Sequence, residues 1–160
     1  TYSHLFNINS IGLRFFTVYG PWGRPDMALN IFTSNILDGK PIKIFNNGNH
    51  SRSFTYIDDI VESIVRLLEK KLIDKKYSIF NIGGESSIQL MNYISLIEEE
   101  LGVKAIYNFL PMQLGDVEKT KSDTSLLQKT IKFSPNTDIR FGLKKFIQWY
   151  KNYYLADIVS

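Results

Sequence analysis

The sequence has 160 residues and a mass of 18.5 kDa, enough for one domain of ordinary size. Apolar residues make up 44% of the chain and charged residues 22%, which excludes disordered and collagen-like proteins. The absence of cysteine excludes disulfides, thiolate metal sites and cysteine nucleophiles, and the net charge of +3 is spread along the chain. Because no apolar run is long enough to span a membrane, we expect a cytoplasmic protein that binds neither membrane nor nucleic acid.

Predicted strands alternate with predicted helices along the chain. Short runs rich in aromatic and β-branched residues predict strands at 12–19, 42–45, 52–57, 77–82 and 103–109. Apolar residues at helical spacing predict helices at 2–6, 28–38, 59–71, 86–101 and 138–154, with short helical turns after residue 123. The predicted class is therefore α/β.

Local signals mark the turns and the chain's first strand. Glycine and proline at 20–25 predict a loop, and Asn-Asn-Gly-Asn at 46–49 predicts a hairpin-type turn. Asp58 is the predicted N-cap of the helix that follows it. The strand at 12–19, predicted to be largely buried, has no predicted strand before it, and the sequence opens at Thr1 without an initiator methionine. We therefore expect a fragment whose first strand has its neighbours upstream.

The sequence argues against several kinds of active site. It contains no glycine-rich loop of the dinucleotide or Walker type, and Gly83-Gly84 is most simply a tight turn. His4 and His50 lie in poor contexts for a catalytic base, and no nucleophile-elbow motif occurs. Two distant histidines and scattered acids give no metal-ligand spacing, so we expect no metal site.

Five side chains are candidates for ligand binding. Arg14, Arg24 and Arg52 lie near a strand end, in a loop and at a turn–strand junction, where a guanidinium can bind a carboxylate or a phosphate. A solvated or structurally paired arginine explains each of them equally well. Phe45 could stack on a base, but a core aromatic is the simpler interpretation. Asp116 could accept hydrogen bonds from sugar hydroxyls, but a turn residue is the simpler interpretation.

Five sequence motifs resemble one protein family. Residues 13–28, Leu-Arg-Phe-Phe-Thr-Val-Tyr-Gly-Pro-Trp-Gly-Arg-Pro-Asp-Met-Ala, resemble the extended short-chain dehydrogenase/reductase family, and most closely its bacterial UDP-glucuronate 4-epimerases. The other motifs are Arg-Ser-Phe-Thr-Tyr-Ile-Asp-Asp-Ile-Val at 52–61, Phe-Asn-Ile-Gly at 80–83, Leu-Pro-Met-Gln-Leu-Gly-Asp-Val at 110–117 and Phe-Ile-Gln-Trp-Tyr at 146–150. They cover nearly the whole chain in the family's order.

The resemblance implies the C-terminal half of a Rossmann-type enzyme, with late strands of the parallel sheet followed by a small α/β substrate-binding domain. Residues 1–20 would end the NAD-binding domain, and residues 21–160 would form mainly the UDP-sugar-binding domain. Residues 77–102 are a candidate for a return to the Rossmann sheet. The glycine-rich turn for NAD and the catalytic Tyr and Lys would belong to the missing N-terminal half, which is an expected partner. The sequence leaves open whether the protein forms a homodimer.

The resemblance assigns binding roles, and no catalytic role, to residues of this chain. Phe15 and Phe16 would flank the nicotinamide end of NAD, mainly through backbone groups, and Thr17 would face the sugar or its nearest phosphate. Arg24 would approach the substrate's carboxylate or diphosphate. The remaining roles are those of Ala28 and Leu29 in the helix that lines the UDP site, Lys43 and Phe45 at the uracil, Arg52 at the diphosphate and Asp116 at the ribose hydroxyls.

Two positions depart from the family's common pattern. Ser53 stands where an aspartate usually follows the arginine, which puts the local pairing of Arg52 in question. Gln113 stands where many relatives carry a second phosphate-binding arginine, although the glucuronate branch often has glutamine there. Gln113 is kept as a substrate-binding candidate, with one charge fewer at the diphosphate.

The activity implied for the complete enzyme is interconversion of UDP-glucuronate and UDP-galacturonate by transient oxidation at C4, with NAD as the cofactor. An upstream tyrosine would take the 4-hydroxyl proton, and the sugar would turn before the hydride returns. The alternatives are a sugar-nucleotide 4,6-dehydratase or decarboxylase of the same superfamily, and a non-catalytic nucleotide-binding remnant. We expect the fragment alone to be inactive.

Overall fold

The computed structural model describes residues 1–70, 76–84 and 87–155. Its helices are α1 (Tyr2–Phe6), α2 (Ala28–Leu37), α3 (Ile57–Glu69), α4 (Leu90–Leu101), α5 (Ser125–Ile131) and α6 (Ile139–Tyr154). Its strands are β1 (Ser10–Phe15), β2 (Val18–Tyr19), β3 (Pro41–Phe45), β4 (Ser51–Arg52), β5 (Thr55–Tyr56), β6 (Tyr77–Ile82), β7 (Ile88–Gln89) and β8 (Ile106–Leu110). The alternation of helices and strands confirms the α/β prediction.

The strands associate in pairs, and most of the pairs are parallel. β1 pairs with β6, β2 with β5 and β3 with β8 in parallel, whereas β4 and β7 are antiparallel. β1 and β6 stay in register from Ser10 beside Tyr77 to Phe15 beside Ile82. Their carboxyl ends therefore lie together, and this is the edge at which α/β proteins bind ligands.

Two hydrophobic cores hold the elements together. The larger core packs α2, α4 and α6 around β2 and β3, and its fully buried residues include Ile42, Ile44, Tyr93, Leu143 and Phe146. The smaller core joins α3, α5 and β6 through Ile60, Leu67, Phe80, Ile82, Leu127 and Ile131. The larger core fixes the position of α2 and β3, which form two walls of the candidate site described below.

The predicted strand at 12–19 is interrupted in the structure. β1 ends at Phe15, and β2 starts at Val18 and pairs with a different partner, β5. The Phe16 amide still donates to the Ile82 carbonyl (3.0 Å), and the Thr55 amide donates to the Thr17 carbonyl (2.9 Å), so the chain changes partner between these residues. The prediction of a largely buried strand is also wrong, because β1 has a single paired strand among the described residues and the Phe15 side chain is about half exposed.

The hairpin prediction at 46–49 is wrong. Asn46–Gly48 form a short 3-10 turn in which both asparagines have left-handed φ angles of 50°. The strand before the turn, β3, pairs in parallel with the distant β8, and β4 after the turn pairs with β7. Asparagine tolerates left-handed backbone, so the same residues serve a change of direction as readily as a hairpin. The extended segment predicted at 52–57 is likewise divided between β4 and β5.

Two helices begin at other residues than predicted. α3 starts at Ile57 after Tyr56, so Asp58 lies in the first turn and is not the N-cap. Asp59 is buried and accepts hydrogen bonds from the Thr137 amide and hydroxyl (2.9 and 2.8 Å), which ties α3 to the segment before α6. α4 starts at Leu90, because the two residues before it form β7.

Some predicted ends lie outside the described residues, namely Lys71 at the end of one helix, Ser86 at the start of another and residues 156–160 of the second predicted domain. Within the described ranges, no helix is long and apolar enough to cross a bilayer. The same ranges contain no group of three or more histidine, aspartate or glutamate side chains placed to hold a metal ion.

Candidate functional site

Two adjoining cavities lie where β1 ends and the following loop begins. The first, which we call the loop cavity, has a volume of about 420 Å³ and is lined by residues 15–24 with Met27 and Ile57. The second, which we call the sheet cavity, has a volume of about 280 Å³. The sheet cavity is lined by Thr17, Met27, Ala28, Phe32, Lys43, Phe45, His50, Arg52, Phe54, Ile88, Leu90 and Asp116. Because Thr17 and Met27 line both cavities, the two form one cleft.

Strand alternation explains why β3 contributes to this cleft. Side chains of successive strand residues point to opposite faces. Ile42 and Ile44 are fully buried in the larger core, while Lys43 and Phe45 line the sheet cavity on the other face. The alternating sequence Ile-Lys-Ile-Phe therefore places one cation and one aromatic ring side by side in the cavity wall.

Arg52 is held in place by several acceptors. Its Nη2 donates to Asp116 Oδ1 at 2.9 Å, and its Nη1 donates to the carbonyls of Ser51 and Glu118 at 3.1 Å each. About a quarter of the Arg52 side chain is exposed, so the guanidinium is fixed while one side of it still faces the cavity. A guanidinium held in this way is suited to a phosphate or carboxylate ligand.

Backbone pairing brings Asp116 to the cavity although it is 64 residues from Arg52. The Ser51 amide donates to the Glu118 carbonyl (2.9 Å), and the Thr120 amide donates back to the Ser51 carbonyl (3.2 Å), so the segment around 118–120 runs alongside β4. Gly115 has a φ of +84°, a conformation that glycine adopts without strain and that turns the chain before Asp116. The Val117 amide donates to Asp116 Oδ1 at 2.8 Å.

His50 lines the sheet cavity, although sequence reasoning set it aside as a poor base. Its side chain is 7% exposed, and its Nε2 lies 3.4 Å from Asp116 Oδ2. A usable signal was present in the sequence. His50 is two residues before Arg52, and in an extended segment this spacing puts both side chains on the same face.

The loop cavity contains the other predicted arginine. Arg24 is exposed, and its Nε donates to Asp26 Oδ1 at 3.0 Å. The hydrogen bond that Arg24 donates to Asp26, followed by the charge of Asp26, raises the pKa of Arg24, and the same bond lowers the pKa of Asp26. Asn30 of α2 donates to the carbonyls of Gly23 and Arg24 (3.3 and 2.9 Å), so the loop is tied to the helix that follows it.

An aromatic contact ties the same loop to the C-terminal helix. Trp22 has a φ of +62°, which is rare for a residue with a side chain. Its ring centroid lies 5.3 Å from that of Trp149 and 4.9 Å from that of Tyr153, both on α6. The loop that carries Arg24 is therefore fixed at one side by α2 and at the other by α6.

Of the remaining residues predicted to bind ligands, some line the cleft and others lie elsewhere. Phe15 and Phe16 line the loop cavity, Ala28 lines the sheet cavity, and Thr17 lies where the two meet. Leu29 is buried in the larger core and lines neither cavity. Phe32, four residues after Ala28 on the same helix face, is buried in the same core and also lines the sheet cavity. Sequence reasoning did not select Phe32, although this spacing indicates it.

Arg14 and Gln113 are not among the residues that line either cavity. Arg14 lies in β1 beside Asn81 of β6, and Gln113 is exposed. The carbonyl of Gln113 accepts a hydrogen bond from the Asp116 amide (3.2 Å) and so helps to form the turn before Asp116. Ser53, the departure next to Arg52, is fully buried, and its hydroxyl donates to the Thr120 carbonyl at 3.5 Å.

Gly83 and Gly84 follow β6 in a closely packed segment. The Gly84 amide donates to the Thr55 hydroxyl (3.0 Å), and the Ser122 hydroxyl donates to the Gly84 carbonyl (2.7 Å). A Cβ added at Gly84 would lie 2.7 Å from the Phe54 carbonyl oxygen, which leaves no space for a side chain. The pair is therefore explained by close packing under the cleft.

Comparison with known sequences agrees with the geometry. The pattern of the NAD dependent epimerase/dehydratase family matches residues 1–83. Protein CapI of Staphylococcus aureus is 45% identical over an alignment that covers 96% of this chain and 51% of CapI. UDP-glucuronate 4-epimerase 4 of Arabidopsis thaliana is 43% identical over an alignment that covers 98% of this chain and 39% of that protein.

The chain is also similar to a solved structure. The UDP-glucuronic acid 4-epimerase from Bacillus cereus, solved in complex with UDP-glucuronic acid and NAD, superposes with a TM-score of 0.87 at 36% identity, over 96% of this chain and 48% of that one. The chain thus spans about half the length, or less, of the relatives it matches. The match confirms the predicted Rossmann-type fold, and together with the family pattern it shows that the chain belongs to the NAD dependent epimerase/dehydratase family.

Proposed function

We propose that this chain forms the substrate-binding half of an NAD-dependent epimerase that interconverts UDP-glucuronate and UDP-galacturonate. One observation carries the proposal: Thr17, Phe45, Arg52 and Asp116, which are far apart in sequence, line one cavity. The relatives named UDP-glucuronate 4-epimerase support the choice of substrate.

The sheet cavity would hold the UDP part of the substrate. The ring of Phe45 would lie against the uracil, and the Lys43 backbone would meet the polar edge of that base. Arg52 would bind the diphosphate and Asp116 the ribose hydroxyls. An aromatic ring, a fixed guanidinium and a carboxylate match the apolar, anionic and hydroxyl parts of a nucleoside diphosphate in turn.

The loop cavity would hold the sugar. Thr17 lines both cavities and would lie where the sugar joins its phosphate, and Arg24 lines the loop cavity. Arg24 could leave Asp26 for the uronate carboxylate, because an exposed ion pair contributes little to stability. A firmly held nucleotide beside a wider cavity would let the sugar turn without leaving the protein, as C4 epimerisation requires.

The residues present fit one side of an NAD site. Phe15 is half exposed at the carboxyl end of β1, and with Phe16 it gives an aromatic wall to the loop cavity. A flat apolar wall at this edge of a parallel sheet suits a nicotinamide ring. When bound, NAD supplies reversible hydride acceptance. Phe15 and Phe16 would hold the ring and exclude water from it.

The N-terminal half of such an enzyme would cover the exposed apolar residues at the start of the chain. Tyr2, Leu5, Phe6 and Ile8 are each 50% or more exposed. We infer that residues 1–20 complete the Rossmann sheet together with Tyr77–Ile82, which pair with β1, whereas α4 packs in the larger core. Exposed apolar surface of this kind favours a stable protein partner.

The decisive experiment incubates the longest product of the reading frame with UDP-glucuronate and NAD and identifies the product by nuclear magnetic resonance. We expect inversion at C4 with the carboxylate retained. A product without the carboxylate would favour the decarboxylase alternative. Binding of UDP without any turnover would favour the non-catalytic remnant, and absence of UDP binding would contradict the proposal altogether.

A further inference from the structure

His50 has a buried nitrogen that makes no hydrogen bond to any residue within 1–70, 76–84 and 87–155. The whole residue is 6% exposed, and the nitrogen concerned is Nε2. Leaving a buried polar atom unpaired costs more than making the bond contributes, so such atoms call for an explanation. The backbone cannot move away, because the His50 carbonyl accepts a hydrogen bond from the Leu90 amide at 2.8 Å.

Among the residues that the structure describes, hydrogen bonds fix the carboxylate of Asp116 through one of its two oxygens. Oδ1 accepts from both Arg52 Nη2 (2.9 Å) and the Val117 amide (2.8 Å). Oδ2 faces His50 Nε2 at 3.4 Å, beyond the usual N–H···O hydrogen-bond distance. The Asp116 side chain is one-third exposed, so a small rotation can bring Oδ2 within hydrogen-bonding distance of the imidazole.

A vicinal pair of hydroxyls is recognised best by a carboxylate whose plane is fixed. Each hydroxyl can donate to one oxygen, and the bonds are good only if both oxygens are correctly placed. The hydrogen bonds from Arg52 and Val117 to Oδ1 do not prevent rotation of Oδ2, whereas a donor that bonds Oδ2 itself would fix the plane of the carboxylate. In its Nε2-protonated tautomer, His50 is such a donor.

We propose that His50 is a positioning residue for Asp116, and that by fixing Oδ2 it makes the site prefer a ribonucleotide over a deoxyribonucleotide. The inference rests on the proposed function, in which Asp116 meets the ribose hydroxyls. It adds a specificity-determining residue to that site. The preference arises because a ligand without the 2′-hydroxyl gains nothing from a correctly oriented Oδ2.

The test compares binding of UDP and dUDP by calorimetry to the longest product of the reading frame and to its variants. In His50→Met, which removes the donor at similar volume, we expect the ratio of the two affinities to fall by about three- to tenfold. His50→Gln keeps an N–H donor and should retain most of the ratio. His4→Met changes the exposed histidine on α1 and should leave the ratio unchanged.

Asp116→Asn supplies the second arm of the test. If His50 acts through Asp116, adding His50→Met to Asp116→Asn should not lower the ratio further. An unchanged ratio in His50→Met, or equal losses of UDP and dUDP affinity, would overturn the inference, since a merely structural histidine weakens both ligands alike. The proposed function would still stand after such a result if the unmodified protein binds UDP and Asp116→Asn lowers that affinity. If neither the unmodified protein nor any of the variants binds UDP, both the inference about His50 and the proposed function are contradicted.

Discussion

Arg52 combines a fixed position with an accessible face, so its substitution tests the diphosphate site directly. We predict that Arg52→Ala lowers the affinity for UDP by about ten- to a hundredfold, because charge-assisted hydrogen bonds to phosphate are lost. The affinity of Arg52→Lys for UDP should lie between those of the unmodified protein and of Arg52→Ala, because lysine keeps the charge but lacks the planar guanidinium. Calorimetric titration with UDP measures both.

The matched control is Arg140→Ala, which changes an exposed arginine paired with Glu99 on the protein surface. We expect its affinity for UDP to equal that of the unmodified protein. An Arg52→Ala variant that is folded by circular dichroism and binds UDP normally would remove Arg52 from the site.

Arg24 tests a different part of the ligand. We predict that Arg24→Ala weakens binding of UDP-glucuronate by about three- to tenfold more than binding of UDP-glucose, because only the uronate offers a carboxylate to the guanidinium. Competition of each sugar nucleotide against a fluorescent UDP analogue gives the two affinities. Equal losses for the two sugars would place Arg24 at the diphosphate instead.

Helix α4 is tied to strand β8 through a single buried carboxylate. Glu98 accepts hydrogen bonds from Lys104 Nζ, the Ala105 amide and the Tyr107 hydroxyl at 2.7, 2.9 and 2.7 Å. Burial raises the pKa of Glu98, but these donors together lower it below its usual value. Burial and the bond to Glu98 raise the pKa of Tyr107 to about 12.

A lowered carboxyl pKa means that the ionised form stabilises the fold above the unfolded-state pKa, and that this stability is lost as the pH falls through the folded-state value. We predict that Glu98→Gln lowers the free energy of unfolding by about 1–3 kcal/mol at pH 7, and that its deficit shrinks as the pH falls below about 4. Urea unfolding at the two pH values measures this. Glu99→Gln, on the exposed side of the same helix, should change stability by less than about 0.5 kcal/mol. A pH-independent deficit would contradict the assignment.

Local signals predicted those elements whose ends are determined by nearby residues. Gly39 and Gly102 follow α2 and α4 in left-handed conformation, and the Asp138 carboxylate accepts from the amides of Arg140 and Phe141 at the start of α6, as helix-end rules require. Phe45 was selected as the aromatic at the end of a predicted strand, although a core aromatic was the simpler interpretation, and it lines the sheet cavity. Strand partners could not be predicted in this way, since β3 pairs with β8 across some sixty intervening residues.

The same distinction applies to the site. The arginines and Asp116 were selected by residue type and by resemblance, but the contact between His50 and Asp116 depends on how the chain at 116–120 lies beside β4. Phe32 was missed because its apolar helix spacing fits a core residue, and it is indeed buried in the larger core. It lines the sheet cavity as well. Long-range packing, which the sequence does not display, decides which core residues also border a cavity.

At the scale of the whole molecule, the chain binds substrate in our proposal but does not carry out the hydride transfer. No tyrosine in the sequence is followed four residues later by lysine, and no Gly-x-Gly-x-x-Gly occurs. We therefore predict that these 160 residues alone do not interconvert UDP-glucuronate and UDP-galacturonate in the presence of NAD. Resonance spectra of the reaction mixture over time would reveal any conversion.

The control joins the chain to the N-terminal half of a relative such as the UDP-glucuronic acid 4-epimerase from Bacillus cereus, and we expect turnover if the two halves fit. Measurable turnover by the 160 residues alone would contradict this division of roles. The DNA upstream of the codon for Thr1 offers a simpler check, since an in-frame Tyr-x-x-x-Lys there would support it.

The contact between Trp22 and α6 gives the protein an intrinsic optical reporter. The sequence has two tryptophans, and they are the two whose rings lie 5.3 Å apart in this contact. Indole emission depends on neighbouring rings and on water, so a shift of the 20–27 segment on sugar binding would change the fluorescence spectrum without any attached dye. Stopped-flow emission measurements could therefore time changes at the loop cavity separately from binding of the nucleotide in the sheet cavity.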